Sequence, residues 1–442
     1  MSEKRLVREV PSKDNSSLVA QSTRREFLKK APVGIAGAGL AMTGCLTAGT
    51  KGQPAVSVSR VLGANERIRM GVIGVGGRGT WGMGECLNHG AEMVALCDVY
   101  QTNLDAAIEK AAAHDNQKGK RPAGYKDYRE LLDRDDIHAV YIGTPDHWHH
   151  DTLIDSVKAG KDVYVEKPFS HTIDEGRNMV KEVRKTDRIV QVGNHRRSGK
   201  HWAHASEVVQ SGKLGKVVWI HVQDLRDWSR GDPWGERIAS FDAAERAKLD
   251  WEMFLGSAPK RPFDPHRYFT WRWFWDYAGG LLTDIGAHQI DVAQWLLDTL
   301  GPKKVVANGG NYFFDNWETP DVVHLTADYG PTCVTFSVEF VSSYMNYVEA
   351  VVHGSDAALV VEHGMFKVIP RDSKDKEPTE TWSRYYEGPD HVANFLDCVR
   401  TRKEPNSPVE IAHRVISTSH LGNTSYREKR VIEWDVKRER EV

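Results

Sequence analysis

The chain has 442 residues, with 59 Lys and Arg against 61 Asp and Glu and a formal net charge of −2. Hydrophobic residues make up 40% and charged residues 27%, a composition that excludes an intrinsically disordered chain. A charge this near zero argues against a nucleic-acid binder steered by bulk charge, and the length implies two or three domains, each with its own core.

The first residues read as an address rather than as fold. Residues 1–22 are polar, then Thr23-Arg24-Arg25-Glu26-Phe27-Leu28-Lys29 precedes a small apolar run from Ala31 to Met42. That run is short of the roughly 20 residues of a membrane span. The paired arginines resemble a twin-arginine export signal; the alternative is a disordered basic tail. Met42-Thr43-Gly44-Cys45 is similar to a lipobox, which would make Cys45 the lipidated first residue and the chain's only membrane attachment; the alternative is ordinary cleavage nearby. Residues 1–45 are thus expected to be an export signal to the periplasm or cell envelope, and 46–66 a linker. The five cysteines, Cys45, Cys86, Cys97, Cys333 and Cys398, are scattered without C-x-x-C spacing, so neither a disulfide framework nor a zinc site is expected.

Arg67 to Ile73 is a β-rich run ending in Gly74-Val75-Gly76-Gly77-Arg78-Gly79, with a helical stretch from Thr80. This places G-x-G-x-x-G between a strand and a helix. There the first glycine permits a tight turn, the second lets backbone approach a pyrophosphate, and the third lets the helix pack on the strand, whose free N–H groups face the anion. The next apolar run, Glu92 to Cys97, ends in Asp98. A carboxylate there suits the ribose hydroxyls and repels a 2′-phosphate, favouring NAD over NADP; otherwise Asp98 is a turn residue. A helix at Tyr128–Leu132, a strand at Ile137–Ile142, a helix from Asp151 to Ala159, a strand at Asp162–Val165, a helix over 174–185 and a strand at Ile189–Val192 continue the alternation. Such alternation predicts a parallel, doubly wound sheet. Its ligands bind at the carboxyl ends of strands, where Gly74, Asp98, Thr144, Lys167 and Asn194 fall.

The glycine loop, Asp98, Thr144-Pro145, Glu166-Lys167-Pro168 and the later Gly279-Gly280-Leu281-Leu282-Thr283-Asp284-Ile285-Gly286-Ala287-His288 together resemble the Gfo/Idh/MocA oxidoreductases, named for glucose–fructose oxidoreductase and inositol dehydrogenase. The resemblance covers most of residues 67–435. It implies an N-terminal Rossmann domain, 67–193, and a C-terminal α/β domain, 194–442, with a large, mostly antiparallel sheet that serves a homo-oligomer. The β-like runs at Val217–Val222, Lys304–Ala307, Val322–Ala327, Cys333–Phe340, Tyr347–Val352 and Ala358–Glu362 agree, since no full helix separates them. Helices are expected over Asp390–Arg400 and Val409–Tyr426.

Matched residue by residue, the resemblance implies a catalytic group of Lys167, Asp284 and His288. NAD would be held by Gly74, Gly76, Gly77, Arg78, Gly79, Asp98, Thr144, Pro145, His149, Glu166, Lys167 and Asn194. The residues themselves suit the chemistry. Asp284 and His288 are four apart and would share a helix face. The carboxylate could fix the imidazole tautomer, His288 could take a hydroxyl proton, and Lys167 could stabilise alkoxide character. Singly, His288 reads first as a core histidine, Asp284 as a helix cap and Lys167 as a surface residue; only together do they point to catalysis. Asp291 reads as structural support. Asp284, His288 and His266 lack a third ligand at secure spacing, so no metal is expected.

The aromatics crowd residues 263–277, after Trp228, Trp234 and Trp251. They suit either a stacking wall for a sugar ring or a core plug. Arg197, Arg267 and Trp271 are the expected substrate contacts. Arg272 is a second candidate for hydroxyls, Arg196 competes with Arg197, and His147 has no assigned role. The substrate class is a carbohydrate. Two activities fit: oxidation of a sugar, cyclitol or glycoside hydroxyl, and glycoside hydrolysis by transient oxidation, elimination, hydration and re-reduction. Export favours a retained cofactor, because no exchanging NAD pool is expected outside the cytoplasm. The glycosidase branch departs from Glu-Lys-Pro at Lys167, so oxidoreductase leads. A non-catalytic sensor is disfavoured by the intact trio.

Overall fold

The computed structural model describes residues 67–442 except 345–347, 363, 374–376 and 384–390. The twin-arginine run, the Cys45 motif and the linker lie outside the described residues.

Two sheets organise the chain. The first takes β1 (Arg69–Ile73), β2 (Glu92–Cys97), β3 (Ala123–Tyr125), β4 (Ala139–Ile142), β5 (Asp162–Val165) and β6 (Val190–Val192). They lie in the order β3-β2-β1-β4-β5-β6, every pair parallel. Strands β4, β5 and β6 are buried along their whole length, as central parallel strands must be. Alternate residues feed two cores. Met70, Val72 and Tyr141 point to one face, under helices Gly77–Asn88 and Gln101–Ala112. Ile73, Val140 and Ile142 point to the other, under helices His149–Lys158 and Ile173–Val183. The last of these starts where its sequence says it should. Thr172 accepts from the Glu175 N–H while the Glu175 side chain accepts from Thr172 N–H, a capping box.

The second sheet is built from β7 (Val217–Leu225), β8 (Lys304–Gly310), β9 (Val322–Asp328), β10 (Cys333–Glu339), β11 (Val348–Gly354), β12 (Ala357–Glu362), β13 (Met365–Pro370), β14 (Glu380–Ser383), β15 (Ile432–Asp435) and β16 (Arg440–Glu441). Its order is β14-β13-β12-β11-β7-β10-β9-β8-β15-β16. Among the described residues only β7 and β10 pair in parallel, so the sheet is mixed and mostly antiparallel. Val323, Leu325 and Ala327 alternate inward against Val334, Phe336 and Val338, the pattern of a sheet covered on one face. Helices Gly286–Leu297 and Val409–Glu428 form the cover.

The chain order hides one feature of the packing. The expected boundary at 193/194 assigns everything after it to the second domain. Yet Val392, Phe395, Leu396 and Val399, on helix His391–Thr401, sit in the same core as Met70, Val72 and Met83. Val409, Ala412 and Ile416 join the opposite core with Val165, Met179 and Val192. The C-terminal segment therefore grips the first sheet from both faces. Among the described residues no helix is long and apolar enough to cross a membrane.

Phe395 is fully buried. Phe395→Ala should cost about 3–5 kcal/mol, read as a lower urea midpoint for loss of the first sheet's signal. An unchanged midpoint would show that this helix adds nothing to that core.

Candidate active site

A cavity of about 1000 Å³ opens at the carboxyl ends of β1, β2, β4 and β5, and residues of the second domain close its far wall. This is the switch-point position where doubly wound sheets bind ligands. Gly74 turns the chain with φ +80°. A Cβ on Gly79 would stand 1.8 Å from the Gly74 carbonyl oxygen, so only glycine lets the helix start this close to the strand. The twelve-residue helix beginning at Gly77 has no side-chain cap and no acid in its first turn, leaving its N–H groups to an anion. Thr144 Oγ1 is buried at this cavity with no partner among the described residues.

Asp98 supports the turn directly. Its carboxylate accepts from Val75 N–H at 2.8 Å and Tyr100 N–H at 2.9 Å. Burial pushes its pKa up to about 6, against the pull of those two donors. Each oxygen keeps a lone pair for a ribose hydroxyl. These features together fit a dinucleotide with NAD's unphosphorylated ribose.

A segment of the second domain straps across this end. Leu249 pairs with Tyr100 as an antiparallel bridge. Gln101 N–H donates to the Lys248 carbonyl at 3.1 Å, and Asp250 N–H to the Val99 carbonyl at 2.9 Å. The Thr102 hydroxyl donates to Glu245 at 2.6 Å, and Arg237 Nη1 to Asn103 Oδ1 at 2.9 Å.

Deeper in the cavity, Arg78 Nε donates to Glu166 at 2.7 Å and its Nη2 meets His195. Tyr141 also donates to Glu166. Burial alone would raise the Glu166 pKa, but His195 and Arg78 hold it well below the usual carboxylate range. Next in sequence, Lys167 Nζ donates to Asp284 Oδ1 at 2.8 Å and to the Asp284 carbonyl at 2.9 Å. Arg272 approaches the same carboxylate oxygen at 3.5 Å. Burial opposes ionisation of Asp284, but Lys167, Arg272 and Arg226 together hold its pKa low. His288 lines the same wall, half-buried. Burial first, then Lys167, Arg196 and His195, push its pKa well below 6.5. The imidazole is therefore neutral at pH 7, which a proton acceptor requires.

Residues 68–194 match the model of an oxidoreductase family with an NAD-binding Rossmann fold, and residues 199–442 match the C-terminal α/β domain of the same family. The chain belongs to the Gfo/Idh/MocA oxidoreductase family. Among curated relatives, a glycosyl hydrolase family 109 protein of Shewanella sp. (strain MR-4) is 33% identical over 169 residues, 36% of each chain. An α-N-acetylgalactosaminidase of Shewanella oneidensis is 32% identical over 169 residues, again 36% of each chain. The chain thus spans about a third of the length of these relatives. A levoglucosan dehydrogenase solved with NADH and levoglucosan shares the fold with a TM-score of 0.63 at 18% identity, over 83% of this chain and 99% of that one.

In this Gfo/Idh/MocA chain, the cavity gathers Gly74, Gly76, Gly77, Arg78, Asp98, Thr144, Pro145, Glu166, Lys167, Trp271, Asp284 and His288 from the residues expected to bind or react. Others stand behind it. His149 is fully buried, with Nδ1 2.7 Å from the Pro168 carbonyl and Nε2 3.1 Å from that of Thr144, so it ties the two loops rather than facing a ligand. Asn194 donates to the Ala287 carbonyl at 3.0 Å, holding the start of the helix that carries His288.

Two substrate expectations are corrected. Arg197 pairs with buried Asp291 at 2.6 Å and leaves the cavity wall to Arg196. Arg267 is spent on Asp276 and Glu318 and stacks over Phe274. A third concerns Asp284 and His288. They do not share one helix, because the chain breaks at Ile285 between Gly280–Asp284 and Gly286–Leu297. Asp284 orders Lys167 instead, and among the described residues the His288 ring has no hydrogen-bond partner.

The aromatic crowd serves both ends. Trp273 and Tyr277 are fully buried core, whereas Tyr268, Phe269 and Trp271 face the cavity. Arg226, Trp234 and Arg237 were not legible as site residues. Trp234 stood out only as one of many tryptophans, and no local pattern marks the two arginines. Among the described residues no three His, Cys, Asp or Glu side chains gather as a metal site.

The His288 imidazole should remain unprotonated as pH falls through 6.5, its acceptor form being lost only below. Lys167→Met removes a neighbouring cation and should move that titration to higher pH. Histidine-selective NMR reads both, and a His288 that titrates at 6.5 in the wild type would refute the assignment.

Proposed function

We propose that the protein is an exported NAD-dependent oxidoreductase acting on a hydroxyl of a sugar, cyclitol or glycoside, with its cofactor retained. The observation that carries this reading is the Lys167–Asp284 pair at 2.8 Å, on one cavity with His288 and the glycine turn. A bound nicotinamide would supply the hydride-accepting carbon. The chain does the rest. Lys167, held by Asp284, donates to the substrate oxygen and stabilises the charge it gains. Neutral His288 takes the hydroxyl proton at a ring nitrogen. Trp234 and Trp271 offer flat faces to the C–H side of a sugar ring.

The strap over Tyr100–Asn103 supports retention, since release past Asp98 requires several ordered hydrogen bonds to open. Export by the twin-arginine route and lipid attachment at Cys45 rest on the sequence alone. A homo-oligomer would use the open face of the second sheet, where Trp219 is 39% exposed and stacks on His353 at 4.4 Å.

The relatives favour a second reading. Those proteins are named glycoside hydrolases, and the redox-neutral cycle of oxidation, elimination, hydration and re-reduction also needs a retained cofactor and the same proton-handling group.

Single-turnover reduction of bound NAD by a panel of sugars and glycosides tests both. His288→Ala should slow it about 10²–10⁴-fold; a wild-type rate would remove His288 from the reaction. Stable NADH after one substrate supports the oxidoreductase, and released aglycone with NAD back in oxidised form supports the hydrolase. Separately, Arg237→Ala with Glu245→Ala should speed NADH release about tenfold or more, because charge-assisted hydrogen bonds are lost. Release at the wild-type rate, followed by NADH fluorescence after dilution, would deny the strap its role.

A further inference from the structure

The end of the cavity beyond the glycine turn gathers several cations. Lys167, Arg196, Arg226 and Arg272 all line it. Asp224 grips Arg226 with contacts of 2.7 and 3.0 Å. Glu349 meets Arg196 at 3.4 Å, and Gln289 accepts from it at 2.8 Å. Asp284 is left to serve both Lys167 and Arg272, and Lys167 holds it at 2.8 Å. Asp146 lies buried nearby, where burial first and then the Asp284 charge push its pKa up against the pull of Arg272 and Lys167. Lys167, Arg196 and Arg226 thus each have a carboxylate at 3.4 Å or nearer.

Arg272 is the least committed of the four. Its guanidinium lies 4.3 Å from the Trp271 ring and 4.6 Å from the Trp234 ring. Its one ionic contact is Nε to Asp284 at 3.5 Å, and its terminal nitrogens have no hydrogen-bond partner among the described residues. Rings that cover a guanidinium's faces leave its edge free, and that edge is the part that binds a planar anion with two parallel hydrogen bonds. A neutral sugar needs no such cation. It would be served by amides and hydroxyls, which do not carry the cost of holding an unpaired charge in a cleft.

We infer that the substrate is an acidic sugar, with Arg272 as the residue that recognises its carboxylate. This rests on the proposed oxidation of a sugar hydroxyl at Lys167 and His288 and narrows its substrate class. Arg272 places the carboxylate against the two tryptophans, and Asp284 beside it repels an acid group from the position of the reacting hydroxyl. A sulfated or phosphorylated sugar presents related chemistry, but its tetrahedral oxygens match the planar edge less well.

The test uses the full-length protein with its bound NAD. Methyl glucoside and methyl glucuronide, the matching galactoside and galacturonide, and glucose 6-sulfate and glucose 6-phosphate are compared by quenching of tryptophan fluorescence and, separately, by NADH formation. The uronides should bind about tenfold or more tighter than the neutral glycosides, with an advantage that shrinks as salt rises. Arg272→Gln should bring that ratio to within about twofold, and Arg272→Lys should restore only part of it. Equal binding of acidic and neutral partners by the wild type overturns the inference without recourse to any variant. So does an unchanged ratio in Arg272→Gln, and tighter binding of the sulfate or phosphate than of the uronides overturns the carboxylate assignment. NADH formed equally well from neutral and acidic sugars would leave the oxidation standing and the inference fallen. Selective uronide binding with no NADH from any sugar would do the reverse.

Discussion

Lys167 ends a strand of the first domain and Asp284 ends a short helix of the second, and the ion pair between them joins the two halves of the cavity. Both side chains are largely sealed from solvent, at 16% and 7% exposure. A charge moved into such a place costs several kcal/mol even after relaxation, and removing one member of a buried pair costs about 3–5 kcal/mol. The fold meets that cost with more than one contact. Lys167 also donates to the Asp284 backbone carbonyl, and Arg272 and Arg226 lower the pKa of the carboxylate further. The pair therefore fixes where the second domain's helix stands relative to the strand end, and with it where His288 faces.

The same charges set the protonation of the site. Burial disfavours a charged imidazole, and Lys167, Arg196 and His195 add to the penalty. A neutral imidazole beside a lysine held by a carboxylate places a proton acceptor and a hydrogen-bond donor on one wall. Glu166 plays a separate part. Its ion pair with Arg78 ties the glycine-turn helix to the strand end that carries Lys167.

Domain closure depends on segments far apart in the chain. Helix His391–Thr401 completes one core of the parallel sheet and the start of helix Val409–Glu428 completes the other. The strap around Arg237 and Glu245 crosses back over the chain after Asp98. These contacts, with the Lys167–Asp284 pair, interlock the Rossmann domain and the second domain.

Much of this was legible in the sequence, because it depends on local physics. The parallel sheet followed from apolar runs alternating with helices, the antiparallel runs from the absence of a full helix between them, and the glycine turn from backbone demands that Gly74 and Gly79 meet. Lys167, Asp284 and His288 could be named together only because a family pattern linked them; each alone reads as ordinary. What the tertiary structure decided is who touches whom. The sequence favoured Arg197 over adjacent Arg196, yet buried Asp291 claims Arg197 and leaves Arg196 to the cavity. Asp284 and His288 stand at helical spacing, but the break at Ile285 turns the carboxylate to Lys167, 117 positions earlier in the chain. Arg237 and Phe395 carry no local signal, since their partners lie in another domain. Sequence period reports which face of an element is buried, while the partner across that face is set by packing of distant elements, which no local spacing encodes.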